Sequence, residues 1–151
     1  MQLSERQATL DDLDKIINLL IEDELGQKRE QLDESTKQNY IRAFELIDND
    51  PNQYLMVVSD DHEIIATCHL TLMPSLTYMG SKRMQIEAVR VQAKYRGQKI
   101  GEWMMQQAIK YAEVNNEKII LLTTNKQRQA AQRFYINLGI TDSHEGMKLF
   151  L

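Results

Sequence analysis

One cysteine, two prolines, six glycines and three histidines are all that this chain of 151 residues holds of those types. Each scarcity excludes something. Cys68 alone cannot form an internal disulfide, which suits a reducing, cytoplasmic setting. Pro51 and Pro74 stand apart, and no Pro-, Gly- or Ser-rich stretch marks a linker, so residues 1–151 read as one domain. His62, His69 and His144 lack metal-ligand spacing, so no metal site is expected. The longest strictly aliphatic runs are short, such as Ile119 to Leu122, against the roughly 20 residues a membrane helix needs. Glu5 and Arg6 fall where a secretory signal needs an apolar core, so neither membrane insertion nor export is expected. There is no internal repeat. The 42% hydrophobic and 26% charged residues that remain fit a soluble globular chain.

The net charge of −4 conceals an asymmetry. Residues 1–63 hold 16 acids and 6 bases, whereas residues 64–151 hold 6 acids and 12 bases. An acidic chain is a poor nucleic-acid binder. A basic half within it fits a local site for an anionic ligand, or simply charges that solvate different faces.

Hydrophobic period orders the elements. Leu3 to Ala8 reads as a strand. Thr9 and Asp12 have capping-box spacing before Leu13, Ile16, Ile17, Leu20 and Ile21 at helical intervals. A second box, Ser35 with Gln38, opens a helix with Tyr40, Phe44 and Ile47 on one face, ending near Asn49 before Pro51. Tyr54 to Ser59, a turn at 60–62, and a run from Ile64 to Leu72 form a hairpin. In that run Ile64, Ala66, Cys68, Leu70 and Leu72 alternate with Ile65, Thr67, His69 and Thr71, giving one apolar face. Residues 74–82 are a loop and 85–91 a strand. A helix follows from Gly97 to Asn115, burying Ile100, Met104, Ala108 and Tyr111. Lys118 to Thr123 is a strand, Gln129 to Leu138 a helix closed by Gly139, and Met147 to Leu151 a final strand. This order implies an α/β (α+β) fold, with helices around a mixed sheet.

The chemistry concentrates in Val89-Arg90-Val91-Gln92-Ala93-Lys94-Tyr95-Arg96-Gly97-Gln98-Lys99-Ile100-Gly101. A strand runs through a short loop into a helix start, where backbone N–H groups lack intrahelical partners and attract phosphate. Gly97 and Gly101 permit close approach. Arg90, Lys94, Arg96 and Lys99 add four cations, and no acid occurs between Glu87 and Glu102. By chemistry alone this is an anion site suited to a pyrophosphate, without the Lys-Ser/Thr ending of a P-loop.

The pattern resembles the acyl-CoA-binding motif of the GNAT superfamily of N-acyltransferases, roughly Arg/Gln-x-x-Gly-x-Gly/Ala. It is filled here by Arg96, Gly97, Gln98, Lys99, Ile100 and Gly101, with Lys99 where glycine is usual. Ala131-Gln132-Arg133-Phe134-Tyr135, followed by Leu138-Gly139-Ile140, resembles the family's Ala-x-x-Phe/Leu-Tyr-x-x-x-Gly-Phe helix. Ile140 replaces the usual aromatic, and Arg128 stands where an asparagine is frequent, with Asn125 three residues earlier.

The resemblance implies a sheet with splayed parallel strands and acetyl-CoA as acyl donor. It implies that Val89 and Val91 hold the pantetheine, that the loop from Arg96 to Gly101 holds the pyrophosphate, and that the thioester lies between strands 85–91 and 118–123. It implies Tyr135 as acid for the leaving thiolate and Glu87 as base for the amine. The structural alternatives are a packing tyrosine and an ion pair of Glu87 with Arg83. His69 either assists proton transfer or faces solvent, and Cys68 reads as core. Tyr78 either lines an acceptor pocket or is a surface tyrosine. Glu22, Asp23 and Glu24, with Glu30, Asp33 and Glu34, either attract a cationic amine or solvate a face. The expected acceptor is a primary amine, on a small molecule or on a peptide or protein, with direct transfer in a ternary complex. A homodimer is possible on family grounds. The rival reading is a catalytically silent CoA-binding or partner-binding module.

Overall fold

The computed structural model describes residues 1–151, which fall into two compact units, Met1–Leu121 and Leu122–Leu151. The first opens with β1 (Leu3–Gln7), a 3-10 turn at Leu10–Asp12 and α1 (Leu13–Ile21), then α2 (Glu24–Gln27) and α3 (Glu34–Asp48). β2 (Gln53–Asp60) and β3 (Glu63–Met73) make a hairpin. A single turn, α4 (Thr77–Gly80), precedes β4 (Arg83–Val91), and α5 (Ile100–Val114) leads to β5 (Ile119–Leu122). The sheet order is β1-β2-β3-β4-β5. The first three pairs are antiparallel, and the crossover through α5 brings β5 beside β4, so the sheet is mixed.

Local chemistry explains the boundaries. The Thr9–Asp12 box forms: Thr9 N–H donates to Asp12 Oδ2 at 2.8 Å. Arg6 also grips that carboxylate, at 2.6 and 2.9 Å, and holds its pKa below the ordinary range. The expected Ser35–Gln38 box does not start α3. Asp33 does, accepting from the N–H groups of Ser35 and Thr36, while Thr36 Oγ1 accepts from Asp33 N–H. A carboxylate two residues upstream outcompetes the serine for the same orphan donors. The hairpin turn holds Asp61 and His62 at φ 46° and 75°, the left-handed pair that a two-residue turn requires.

β3 is buried on both faces, which corrects the single apolar face expected of it. Ile65 and Thr67 are as inaccessible as Cys68 and Leu70. Thr67 fits because its hydroxyl donates to the Met56 carbonyl at 2.7 Å. One face of the sheet, carrying Leu55 and Val57, packs against Leu13, Ile16, Ile17 and Phe44 of α1 and α3. On the other, Tyr54 stacks on Tyr111 of α5 at 4.5 Å between ring centroids. Tyr111 is therefore half-buried, and Met105 and Ala112 join Ile100, Met104 and Ala108 in the core. Cys68 lies wholly inside, its thiol pushed up to about 12 by burial.

The second unit contains α6 (Gln129–Asn137). Gly139 follows at φ 87°, and the N–H groups of Leu138 and Ile140 both donate to the Tyr135 carbonyl. The expected strand at 147–151 is absent. Met147, Leu149, Phe150 and Leu151 are exposed, because alternation makes a strand only where a neighbouring edge supplies hydrogen-bond partners.

Candidate active site

A break in the β3–β4 ladder defines the site. His69 pairs with Glu87 and Thr67 with Arg90, so three steps on β4 answer two on β3. Ala88 takes φ 52° to absorb the extra residue, a β-bulge. The bulge also inverts the expected side-chain phase. Strict alternation predicts Glu87 on the side of Val89 and Val91. Across the bulge, Glu87 instead shares its face with Arg90, beside His69 and Thr67, whereas Val91 opposes Ala66 on the other face. That shared face is the one covered by α1 and α3.

Between those helices and the sheet lies a cleft of about 130 Å³. Leu20 of α1 and Tyr40, Phe44 and Ile47 of α3 form one wall, and Thr67, His69 and Ala88 form the other. His69 Nε2 is 2.7 Å from Gln53 Oε1, which also accepts from Thr71 Oγ1 at 2.9 Å. His69 Nδ1 is 3.6 Å from Glu87 Oε1. The imidazole side chain is 15% exposed and the carboxylate 50%. Burial lowers the His69 pKa, and the Glu87 charge opposes that shift only in part, which favours the neutral ring. Glu87 thus has a histidine partner and no ion pair with Arg83. Tyr78 lies on the exposed α4 turn at φ 52°, outside the residues lining the cleft.

The loop after β4 is held from the acidic half of the chain. Ala93 N–H donates to Glu22 Oε2 at 2.8 Å, and Arg96 reaches the same oxygen at 3.4 Å. Arg90 lies 3.5 Å from Asp23, and Lys94 donates to both oxygens of Glu63 at 3.0 and 3.2 Å. This corrects the expected four-cation cluster: three of the four face carboxylates, and Lys99 has none within ion-pair distance. The acidic residues have structural roles too. Glu22 and Asp23 hold the loop, Glu24 pairs with Lys28, Glu30 accepts from Tyr40, and Asp33 caps α3.

The turn into α5 is shaped by its backbone. Gly97 sits at φ 77° with open space where a Cβ would point, and Gln98 is tied back to the Lys94 carbonyl at 3.1 Å. Lys99 precedes α5 at φ 64°, in the left-handed region, which explains why glycine suits this place. Buried Ile100 anchors the first turn beside Gly101, and the first i→i+4 bond runs from Trp103 N–H to Lys99.

In the second unit, Asn125 Oδ1 accepts from Gln127 N–H at 2.9 Å, and the Asn125 carbonyl accepts from Arg128 N–H at 2.8 Å. These bonds turn the chain into α6, with Arg128 at its N-cap. Half-buried Tyr135 packs edge-on to Phe134, with centroids 5.2 Å apart.

The model of the acetyltransferase (GNAT) family matches residues 13–140. The chain belongs to that family. The general kind of reaction in that family is acetyl transfer from acetyl-CoA to an amine. A protein described as a transcriptional regulator from Bacillus halodurans C-125 is 41% identical, with TM-score 0.95 over 99% of this chain and 100% of that one. Glucosamine-6-phosphate N-acetyltransferase from Arabidopsis thaliana is 18% identical, with TM-score 0.78 and 99% of each chain covered. A predicted acetyltransferase from Clostridium acetobutylicum, solved with acetyl-CoA, is also 18% identical, with TM-score 0.77 over 99% of this chain and 96% of that one. The last two likenesses are of fold alone. No curated protein gives a significant match.

Sequence reading singled out Glu87 and the loop but missed the Gln53–His69–Glu87 group. The hairpin register holds a signal for part of it, since pairing Gln53 with Thr71 and Leu55 with His69 brings Gln53 beside both. The β4 bulge has no such signal, because alanine does not advertise a positive φ.

Proposed function

We propose that this protein is an N-acetyltransferase that moves the acetyl group of acetyl-CoA directly to a primary amine in a ternary complex. The observation that carries the reading is the bulge at Ala88, which interrupts the ladder beside the His69–Glu87 pair at the head of an anion-accepting loop. The pantetheine runs along the backbone of Val89 and Val91, and the pyrophosphate rests on the N–H groups from Arg96 to Gly101, with Lys99 as the available cation. Asn125 and Arg128 are further cofactor contacts in this reading.

The amine nitrogen attacks the thioester carbon. Negative charge gathers on the carbonyl oxygen, where backbone donors freed at the bulge stabilise it. The C–S bond then breaks, the thiolate takes a proton from Tyr135, and the new amide leaves. Glu87, beside His69, is the anionic group that draws a proton from the ammonium, directly or through water, to free the lone pair that attacks.

The test is acetyl-CoA-dependent thiol release across a panel of small-molecule, peptide and protein amines. A second reading, a CoA-binding regulator without turnover, draws support from the description of the 41% identical Bacillus protein. Stabilisation by acetyl-CoA with no thiol release from any amine would favour it.

A further inference from the structure

We propose that the proton acceptor for the amine is Nδ1 of His69, with Gln53 setting the imidazole tautomer and Glu87 acting as a positioning residue that holds the imidazolium once it forms. The inference rests on the transferase reading above and moves the base role given there to Glu87 onto a named atom of His69.

Hydrogen bonding fixes the tautomer. Gln53 Oε1 only accepts, and it lies 2.7 Å from His69 Nε2, so the neutral ring carries its proton on Nε2. Gln53 Nε2 donates to the Asp50 carboxylate at 3.2 Å, which keeps the amide turned that way, and Thr71 Oγ1 donates to the same Oε1. Nδ1 is then a bare lone pair, directed to the side where Glu87 lies at 3.6 Å. That separation is too long for a direct hydrogen bond. An ammonium nitrogen brought to this corner can place one N–H toward Nδ1 and another toward the Glu87 carboxylate. When the proton passes to Nδ1, the imidazolium stands beside a carboxylate already in place, so little has to reorganise.

Three observations favour the imidazole over the carboxylate as the base. His69 lines the cleft, whereas half of the Glu87 side chain is in water. An ordinary imidazole lies about two units nearer than a carboxylate to the pKa of an alkyl amine, about 10.4, an advantage that the burial of His69 narrows. Burial also favours the neutral ring, the form a base must have. The charged groups on this face of β4 are Glu87 and Arg90, the latter paired with Asp23. The cleft walls from α1 and α3 add only the Tyr40 phenol among titratable groups, and its pKa is raised.

The experiment combines ¹⁵N NMR of the His69 ring with rate–pH profiles for one accepted amine. Expected are the Nε2–H tautomer at pH 7, a His69 midpoint below the ordinary histidine value, and a still lower midpoint in Glu87→Gln. The acidic limb of kcat/KM should follow that midpoint in both proteins. His69→Gln, which preserves a polar chain on the strand, should lose about 10²-fold in kcat with acetyl-CoA affinity unchanged. An Nδ1–H tautomer in the wild type, or a folded His69→Gln protein with wild-type kcat, overturns the inference and leaves the transferase reading standing. A folded wild-type protein from which no amine of the panel elicits thiol release overturns both.

Discussion

Lys99 carries two separable burdens, and two substitutions divide them. Its backbone is left-handed at φ 64°, at the junction between the loop and α5. A residue with a Cβ in that region costs about 1–2 kcal/mol. Glycine removes the strain but gives back about 0.5–1 kcal/mol through its freer unfolded state. Lys99→Gly should therefore stabilise the fold by about 0.5–1 kcal/mol, or roughly 2 °C in Tm for a chain of this size. Lys99→Ala keeps the strain and should leave Tm within about 1 °C. Both remove the cation that lacks a carboxylate partner, so both should weaken acetyl-CoA binding by a similar factor of about 2–5 at low salt. That loss should fade near 1 M salt, where the screening length is about 3 Å. Calorimetry at two salt concentrations and thermal unfolding of the three proteins make the test. If alanine stabilises as much as glycine, the strain argument fails. If the affinity loss is unchanged by salt, Lys99 does not act on the cofactor as a charge.

Gly101→Glu places bulk and negative charge in the first turn of α5; a protein folded by circular dichroism should show acetyl-CoA binding largely abolished by calorimetry, and unchanged affinity would remove the proposed cradle. Tyr135→Phe should lower turnover by roughly 10²-fold with little change in acetyl-CoA binding, whereas wild-type turnover would assign the ring to packing. Asp12 has a folded pKa depressed chiefly by Arg6, so its contribution is complete above the unfolded carboxylate value and disappears as pH falls through the lower folded one. Asp12→Asn should accordingly cost about 1 kcal/mol at pH 7, a modest figure because Arg6 is half exposed, and the gap to wild type in urea unfolding should narrow below about pH 4.

What the sequence announced and what it hid divide along physical lines. Helical spacing from Leu13 to Ile21 and from Ile100 to Ala112 was legible because burial of one stripe imposes a period. The loop at 92–101 was legible as a strand–helix junction because glycine marks a turn with positive φ, as Gly97 shows. Three features were not. The α3 cap moved to Asp33 because two candidate caps competed for the same donors. The strand expected at 147–151 had the right alternation but no partner edge, and pairing is a non-local property. The phase of β4 past Ala88 depends on one left-handed alanine, and that conformation is imposed by the neighbouring strand. The charge asymmetry was visible, but the pairing within it was not: acids of the first half face three cations of the second.

That pairing has a consequence for engineering. Residues 90–96 are moored at three points, by Glu22, Asp23 and Glu63, which come from the end of α1, the turn after it and the start of β3. The loop is thus not a portable cassette. A graft that exchanged it for a relative's loop of different cation spacing would strand three carboxylates at once, and a useful chimera would have to carry those acids with it. Donor preference and acceptor preference, in such a scaffold, would have to be redesigned together.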